Sequence, residues 1–266
     1  MIKIQNLINW FENKDKVIVA LSGGVDSALV AYAAFKKLGT SALAVTADYK
    51  TLSNEELETS KQICKEIGIS QILLDYDELE NPDFVKNDSN RCFHCRQELG
   101  SHLTNLAKEK NIQFIVDGTN LDDLDEYRPG IMALKKYGVQ SPLVENNLSK
   151  AEIREMAKFV GLSVYDKPSN SCLASRIPWG QKITSERLTR IEYGETLVKQ
   201  ITRISQVRVR DLNGTAKIEV EKENIPILEN KKTFDEISQK LKLIGFFEVI
   251  LDPNGYKPGK INVIAD

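Results

Sequence analysis

The pattern of apolar and polar positions in the first two thirds of the chain predicts strands that alternate with helices. A short, branched apolar run at residues 17–21 is followed by a glycine turn and by helical spacing at residues 27–38. The same alternation predicts strands at residues 42–46, 71–75 and 114–117, and helices at residues 54–67, 98–110 and 149–160. Because such units are joined by right-handed crossovers, we predict an α/β fold with a doubly wound parallel sheet.

The pattern changes beyond residue 180. A long helix is predicted at residues 184–202, and strands at residues 206–212 and 215–221 flank the pair Asn213-Gly214, which is typical of a hairpin loop. A helix at residues 233–243 and a strand at residues 246–251 complete this part. We therefore predict a larger domain at residues 1–180 and a smaller α+β domain at residues 181–266.

The composition is that of an ordinary globular protein, with 41% apolar residues, 28% charged residues and a net charge of −2. The chain lacks the overall positive charge that drives tight binding to nucleic acid, so we do not expect nucleic acid as a partner. The first residues carry too many charges for a secretory signal, and no apolar run is long enough to span a membrane. We expect a cytoplasmic protein without a membrane partner, and a homo-oligomer is compatible with the sequence.

A glycine-rich segment joins the first predicted strand to the first predicted helix and reads Ser22-Gly23-Gly24-Val25-Asp26-Ser27. Free amides and the helix dipole make such a position an anion site, although the lysine of a Walker loop is missing. The segment resembles the PP-loop of the N-type ATP pyrophosphatases, which has the form SGGxDS. The resemblance implies that the loop binds ATP and that cleavage between the α and β phosphates leaves AMP on the substrate. It also implies that Asp26 helps to hold Mg²⁺ and that the hydroxyls of Ser22 and Ser27 contact phosphate.

A second polar segment follows the fourth predicted strand and reads Asp117-Gly118-Thr119-Asn120-Leu121-Asp122-Asp123. Ligands gather at the carboxyl ends of the strands in an open parallel sheet. The segment resembles the second nucleotide loop of the same family, which makes Gly118, Thr119, Asn120 and Asp122 candidates for ATP binding. A polar turn without a ligand would use the same residue types, so this alternative stays open.

Three of the four cysteines form a pattern that favours metal chemistry. Cys92 and Cys95 are a CxxC pair, and Cys172 lies far downstream. In a reducing compartment such residues are ligands or nucleophiles more often than disulfides. Three thiolates can hold three irons of a 4Fe-4S cluster and leave the fourth iron open for an exogenous sulfide. We favour this cluster over the other interpretations.

Two further interpretations of the cysteines stay open. A closed zinc site needs a fourth ligand, and His94 and His102 are the histidines of the chain. A redox CxxC, with Cys172 as a bystander, is the other alternative. Cys64 lies beside apolar positions of a predicted helix, so we predict that it is a packing residue.

Motifs along nearly the whole chain resemble those of the LarE sulfur transferases. They are Asp125-Glu126-Tyr127-Arg128-Pro129-Gly130, Ser141-Pro142-Leu143, Lys150-Ala151-Glu152-Ile153-Arg154, Cys172-Leu173-Ala174-Ser175-Arg176-Ile177-Pro178-Trp179-Gly180, Arg208-Val209-Arg210 and Ile218-Glu219-Val220. The resemblance implies an enzyme that uses ATP to adenylate a pyridinium-biscarboxylate mononucleotide and converts its carboxylates to thiocarboxylates, in the synthesis of a nickel-pincer cofactor. It implies a small anionic substrate and a sulfide source as partners, and AMP and pyrophosphate as products.

The resemblance also bears on single residues. Some members sacrifice the sulfur of one cysteine, which matches Cys172, whereas Cys92 and Cys95 make this chain resemble the cluster-bearing members, whose cysteines survive turnover. Arg176 follows Cys172 closely and could favour the thiolate, steer an anionic substrate or pair with a structural carboxylate.

The candidate anion site of the C-terminal part consists of Arg208, Arg210 and Glu195. The two arginines are two positions apart on a predicted strand and share a face, which suits a phosphate or a dicarboxylate. Glu195 matches a family acid that is expected near the same anion or near Mg²⁺. An exposed strand edge and a solvated helix face are the alternatives.

Other functions also fit parts of the pattern. A cluster-dependent tRNA thiolase and an amide-forming PP-loop synthetase would use the same activation by ATP. A sensor that binds a nucleotide and a metal without catalysis is the third alternative, and pyrophosphate release in the presence of a substrate would separate it from an enzyme.

Overall fold

The computed structural model describes residues 2–124 and 129–257. Residues 125–128, which belong to the motif at residues 125–130, lie outside this part of the chain. None of the helices within these ranges is both long and apolar enough to cross a membrane.

The helices and strands are numbered in chain order. The helices are α1 (Ile2–Asn9), α2 (Val25–Leu38), α3 (Asn54–Ile67), α4 (Pro82–Val85), α5 (Arg91–Lys110), α6 (Pro129–Lys136), α7 (Pro142–Glu145), α8 (Lys150–Phe159), α9 (Ser185–Thr202), α10 (Ile225–Glu229) and α11 (Lys231–Leu243). The strands are β1 (Val17–Ala20), β2 (Ala42–Asp48), β3 (Ser70–Asp75), β4 (Phe114–Val116), β5 (Val207–Leu212), β6 (Thr215–Val220) and β7 (Glu248–Leu251).

The first compact unit contains the described residues of the ranges 1–78 and 92–170, and its centre is a parallel sheet. The strand order is β3-β2-β1-β4, with Val17 opposite both Ala42 and Phe114. Val19 packs in a core with apolar residues of α1, α2, α3 and α8, whereas Ile18 packs with those of α5 and α6. Successive side chains of a strand point to opposite faces, so both faces of the sheet are covered. This confirms the predicted α/β class with a doubly wound parallel sheet.

The second compact unit contains the described residues of the ranges 79–91 and 171–266. Its sheet has the order β5-β6-β7, in which β5 and β6 are antiparallel. Leu212 pairs with Thr215, so the loop between the two strands is the predicted Asn213-Gly214 pair. Helices α9 and α11 contribute Val198, Ile237 and Leu241 to the apolar core against this sheet. The hairpin prediction is therefore confirmed.

The segment at residues 79–91 joins the second unit through a few specific hydrogen bonds. Asn87 is fully buried, and its amide nitrogen donates to the carbonyl oxygens of Pro178 and Gln181, at 2.8 Å each. The Arg91 guanidinium donates to the side chain of Asn87 at 2.8 Å and to the carbonyl oxygen of Ala174 at 3.0 Å. Compactness alone does not establish independent folding, so the domain boundary at residue 180 stays a prediction.

Helix α5 begins earlier than the sequence predicts. Its first residue is Arg91 instead of residue 98, so both cysteines of the CxxC pair lie on the helix. The turn before it is formed by Asp88, whose carboxylate accepts a hydrogen bond from the Asn90 amide at 2.8 Å. Residues such as Cys and His are poor helix formers, and this segment has no apolar period, which is why the prediction was wrong here. In contrast, the helix predicted at residues 149–160 is confirmed as α8, and a capping box of Ser149 and Glu152 fixes its start.

Candidate functional site

The glycine-rich loop lies between β1 and α2, as predicted. Gly23 has a φ of +82°, a conformation that few side chains adopt. The Ser27 hydroxyl, which is almost fully buried, donates to the carbonyl oxygen of Gly24 and accepts from the Ser22 amide, at 3.1 Å each. These bonds hold the loop closed around the first turn of α2, where Val25 and Asp26 begin the helix. Contacts of the Ser22 and Ser27 hydroxyls with phosphate stay a prediction.

The second polar segment touches the first loop directly. A Cβ atom at Gly118 would lie 2.6 Å from the Ser27 backbone nitrogen, so only glycine fits at this crossing. The Asn120 amide donates to an Asp26 carboxylate oxygen at 3.4 Å. The Thr119 hydroxyl donates to Asp117 at 2.7 Å and so shapes the turn after β4. The structure thus brings together the two loops that sequence reasoning singled out.

A lysine that sequence reasoning did not assign lies at the same place. The Lys150 ammonium is paired with the Asp26 carboxylate, and the Lys150 backbone amide donates to Asp122 at 2.7 Å. Lys150 is the first residue of α8, which the Ser149 capping box fixes. A positive charge from a distant part of the chain therefore faces the acid of the nucleotide loop.

The CxxC cysteines lie on the first turns of α5, in the first unit. Cys92 is exposed and Cys95 is partly buried. Residues three apart on a helix are neighbours on its surface, so the two thiols share a face. The positive end of the helix dipole favours anions at this end of α5.

Within the first unit, two tyrosines and Arg96 lie in the neighbourhood of the CxxC turn of α5. Tyr49 and Tyr76, which follow β2 and β3, have ring centroids 5.6 Å apart, and Tyr76 stacks on His102 at 4.4 Å. Within the described part of the chain, the buried Tyr76 hydroxyl has no hydrogen-bond partner. Burial, together with the nearby Cys95, raises the pKa of Tyr76, so this phenol stays protonated and able to donate. Burial alone would lower the pKa of Arg96, but the nearby Tyr49 and Cys95 raise it, so its guanidinium stays charged.

The third cysteine, Cys172, lies in the second unit just before a helical turn at Leu173–Arg176. Arg176 is fully buried, and its guanidinium donates to the carbonyl oxygens of Ser171 and Cys172, the latter at 3.0 Å. The same guanidinium forms two bonds with Glu195, at 2.8 and 3.1 Å. Arg176 therefore fixes the backbone around Cys172, and its proposed catalytic role stays a prediction.

The predicted anion site of the second unit is buried, and the two alternatives of an exposed strand edge and a solvated helix face are wrong. Arg208 and Arg210 are 2% and 4% exposed on β5, and Glu195 is 6% exposed on α9. The Arg210 guanidinium donates two hydrogen bonds to the same carboxylate oxygen of Glu219, at 2.7 and 2.9 Å. Burial and the neighbouring Arg176 lower the pKa of Arg208. The cluster thus contains the guanidiniums of Arg176, Arg208 and Arg210 and the carboxylates of Glu195 and Glu219, and Lys217 joins it through pairs with Glu219 and Asp252 at 3.5 and 3.0 Å.

We expect the Glu195→Gln variant to lose about 3 to 5 kcal/mol of folding stability, because it leaves the buried Arg176 guanidinium without its countercharge. Glu236→Gln, which breaks an exposed pair with Lys240, is the matched control and should cost less than about 0.5 kcal/mol. Denaturant unfolding measures both. Equal losses in the two variants would contradict the assignment.

The same pair predicts a pH dependence. Burial by itself would raise the pKa of Glu195, but Arg176 and its hydrogen bonds lower it overall. A lowered folded-state pKa means that the stabilisation is complete above the unfolded-state value of about 4.3 and is lost as the pH falls through the folded-state value. The Gln variant should lack this part of the acid transition.

Over residues 2–124 and 129–257, no group of three His, Cys, Asp or Glu side chains is arranged to hold a metal ion.

The family model described as queuosine biosynthesis protein QueC matches residues 16–89, which include the glycine-rich loop.

Relatives of known sequence match nearly the full chain. The uncharacterized protein slr1717 of Synechocystis sp. is 40% identical over 98% of this chain and 97% of its own length. The uncharacterized protein MJ0830 of Methanocaldococcus jannaschii is 30% identical over 97% of both chains. The pyridinium-3,5-bisthiocarboxylic acid mononucleotide synthase of Lactiplantibacillus plantarum is 28% identical over 98% of this chain and 94% of its own length.

Proposed function

We propose that this chain, a member of the family that includes slr1717 and MJ0830, is an ATP-dependent sulfurtransferase of the PP-loop type. Its proposed substrate is a pyridinium dicarboxylate mononucleotide, by similarity to the synthase of Lactiplantibacillus plantarum. The observation that carries the proposal is the convergence of both nucleotide loops at Asp26. The product is proposed to be a precursor of a nickel-pincer cofactor.

In the first half-reaction, a substrate carboxylate oxygen attacks the α phosphorus of ATP. A bond from this oxygen to phosphorus forms, the bond from the α phosphorus to the bridging oxygen breaks, and pyrophosphate leaves. The amides of the loop at residues 22–27 and the N-terminus of α2 would stabilise the negative charge of the departing group.

Mg²⁺ is the proposed metal of this half-reaction, with the Asp26 carboxylate as a proposed ligand. In the structure this carboxylate contacts the ammonium of Lys150 and the amide of Asn120. A carboxylate is a suitable Mg²⁺ ligand together with phosphate oxygens, and the ion would compete with the Lys150 ammonium for it. When bound, the ion would neutralise part of the charge of the triphosphate.

In the second half-reaction, sulfide attacks the acyl carbon of the adenylate. A carbon–sulfur bond forms, the bond between this carbon and the AMP oxygen breaks, and AMP leaves with its electron pair. Cys92 and Cys95, which share one helix face, would be two ligands of the proposed 4Fe-4S cluster, and the sequence pattern predicts Cys172 as the third. When bound, such a cluster would hold sulfide at its open iron.

The buried arginine cluster of the second unit would bind the anionic part of the substrate. It brings Arg176, Arg208 and Arg210 close enough for their charges to influence one another. Positive charges that lie close together in a protein interior repel one another, and a bound anion would reduce this repulsion. A phosphate or carboxylate of the substrate would do so through charge-assisted hydrogen bonds.

The test is a reaction with protein purified without oxygen, ATP, Mg²⁺, sulfide and the pyridinium dicarboxylate mononucleotide. We expect AMP, pyrophosphate and a product in which sulfur replaces a carboxylate oxygen, measured by chromatography and mass spectrometry. Ammonium in place of sulfide tests amide formation, which the same family allows. Pyrophosphate release without any sulfur product, or with an amide instead, would contradict sulfur transfer, and no release with substrate would favour the sensor.

A further inference from the structure

A buried acid touches the nucleotide loop from the side of α3. Glu56 lies in the first turn of this helix and is 7% exposed. A Cβ atom at Gly23 would lie 2.8 Å from the carbonyl oxygen of Glu56 and 3.0 Å from its carboxylate. The carboxylate therefore packs against the backbone of a loop that is built to bind an anion, where by itself it would repel phosphate.

A lysine from the end of the first unit compensates this acid. The Lys167 ammonium lies 2.9 Å from the Glu56 carboxylate and 3.4 Å from the carbonyl oxygen of Gly23. Its segment is held in place because the Arg154 guanidinium donates to the carbonyl oxygens of Tyr165 and Lys167, at 2.8 and 2.7 Å. Thus a fixed backbone places a positive charge at the glycine of the loop.

The geometry of the ammonium allows one more bond. A lysine ammonium has three N–H donors, and the contacts with Glu56 and Gly23 use two of them. The Lys167 side chain is 19% exposed, so it is only partly buried beside the loop. A phosphate oxygen above Gly23 is a suitable acceptor for the third donor.

We propose that Lys167 binds the β or γ phosphate of ATP and the pyrophosphate product, and that the Glu56 carboxylate, which pairs with Lys167, lowers the affinity for these anions. Lys167 would thereby replace the lysine that a Walker loop carries within its own sequence and that residues 22–27 lack. The proposal rests on the proposed function, because it assumes that the loop binds ATP. It adds a specific contact that distinguishes pyrophosphate from AMP.

The test is calorimetric binding of Mg²⁺-pyrophosphate and of AMP to the full chain and its variants. Lys167→Met should weaken pyrophosphate binding about tenfold or more and leave AMP binding unchanged, since AMP has no β phosphate. Lys167→Arg keeps the charge and should restore most of the affinity. Lys37→Met, which breaks a 3.0 Å pair with Glu12, is the matched control and should bind like the unchanged protein.

Glu56→Gln separates a binding role from a structural one. Removal of this negative charge should lower the melting temperature and yet tighten pyrophosphate binding several-fold, because the positive charge of Lys167 is then no longer neutralised by Glu56. A weaker affinity in Glu56→Gln, or an unchanged affinity in Lys167→Met, would overturn the inference and leave the proposed function intact. If the Lys167→Met variant does not fold, the affinity of the Glu56→Gln variant for pyrophosphate decides whether the inference holds. Failure of the unchanged protein to bind ATP and pyrophosphate would overturn the proposed function and the inference together.

Discussion

The Asp26→Asn variant is expected to release pyrophosphate from ATP at least about a hundredfold more slowly than the unchanged protein, while it keeps its fold. The reason is that the Asp26 carboxylate, which contacts Lys150 and Asn120 in the structure, would be a ligand of Mg²⁺. Loss of a metal ligand removes several kcal/mol of stabilisation of the departing group, and each 1.36 kcal/mol is a factor of ten in rate. Pyrophosphate release in the presence of the dicarboxylate substrate is the measurement.

Thermal melting shows whether the Asp26 effect is chemical. The pair with Lys150 is partly exposed, with 29% and 19% of the two side chains accessible, so its loss should cost less than about 1 kcal/mol. Asp15→Asn, at an exposed position before β1, is the matched control and should turn over normally. Normal turnover in Asp26→Asn would exclude this carboxylate from the Mg²⁺ site.

The second large effect is expected at the cysteines. Alanine at Cys92, Cys95 or Cys172 should abolish sulfur transfer and the iron-based absorbance, because each replacement would remove one of the three proposed cluster ligands. Adenylation should persist, since it depends on residues 22–27 and not on the thiols. The measurements are pyrophosphate release, thiocarboxylate formation and iron and sulfide analysis on protein purified without oxygen.

Cys64 is the matched control for the cysteine variants. It is buried in the core between the sheet and α3, and burial raises the pKa of its thiol to about 12. A thiol with such a pKa remains neutral and does not serve as a ligand or nucleophile near neutral pH. Cys64→Ala should therefore lower stability and retain sulfur transfer.

The fate of Cys172 distinguishes the two mechanisms of sulfur delivery. After many turnovers, mass spectrometry should find all three cysteines intact if sulfide comes from an open iron. Stoichiometric conversion of Cys172 to dehydroalanine would instead show that its sulfur is sacrificed. Complete sulfur transfer by iron-free protein would equally overturn the cluster.

Much of the fold could be predicted from the sequence because its signals are local. The branched run before residues 22–27 and the alanine spacing after it predict β1 and α2, and the Asn213-Gly214 pair predicts the hairpin. The short helices α4 and α7 were missed because four residues are too few to show a period. Both begin with a proline, Pro82 and Pro142, after a typical N-cap residue, Asn81 and Ser141, and these pairs are the available signals for such a helix start.

The site was predictable only in part. Its two loops contain recognisable sequence motifs, whereas the lysines that pair with its acidic residues lie outside these loops. Asp26 and Asn120 lie in recognisable segments, whereas Lys150 and Lys167 reach the loop from positions that no local pattern connects to it. The burial of Arg208 and Arg210 was also missed, since alternation of charged and apolar residues on a strand ordinarily indicates one exposed face. Buried ion pairs break this rule, and only the three-dimensional contacts reveal them.

The segment at residues 79–91 has a consequence for any attempt to divide the chain. A fragment that ends at residue 180 would retain Asn87 but lose Gln181, which accepts one of its buried hydrogen bonds. A fragment that ends at residue 170 would also deprive Arg91 of the Ala174 carbonyl. The C-terminal piece, expressed alone, would lack the Val85 carbonyl that accepts from the Ile183 amide. The second unit is thus built from two separate stretches of sequence. Duplication of this unit, or its transfer to another protein, would have to include both stretches.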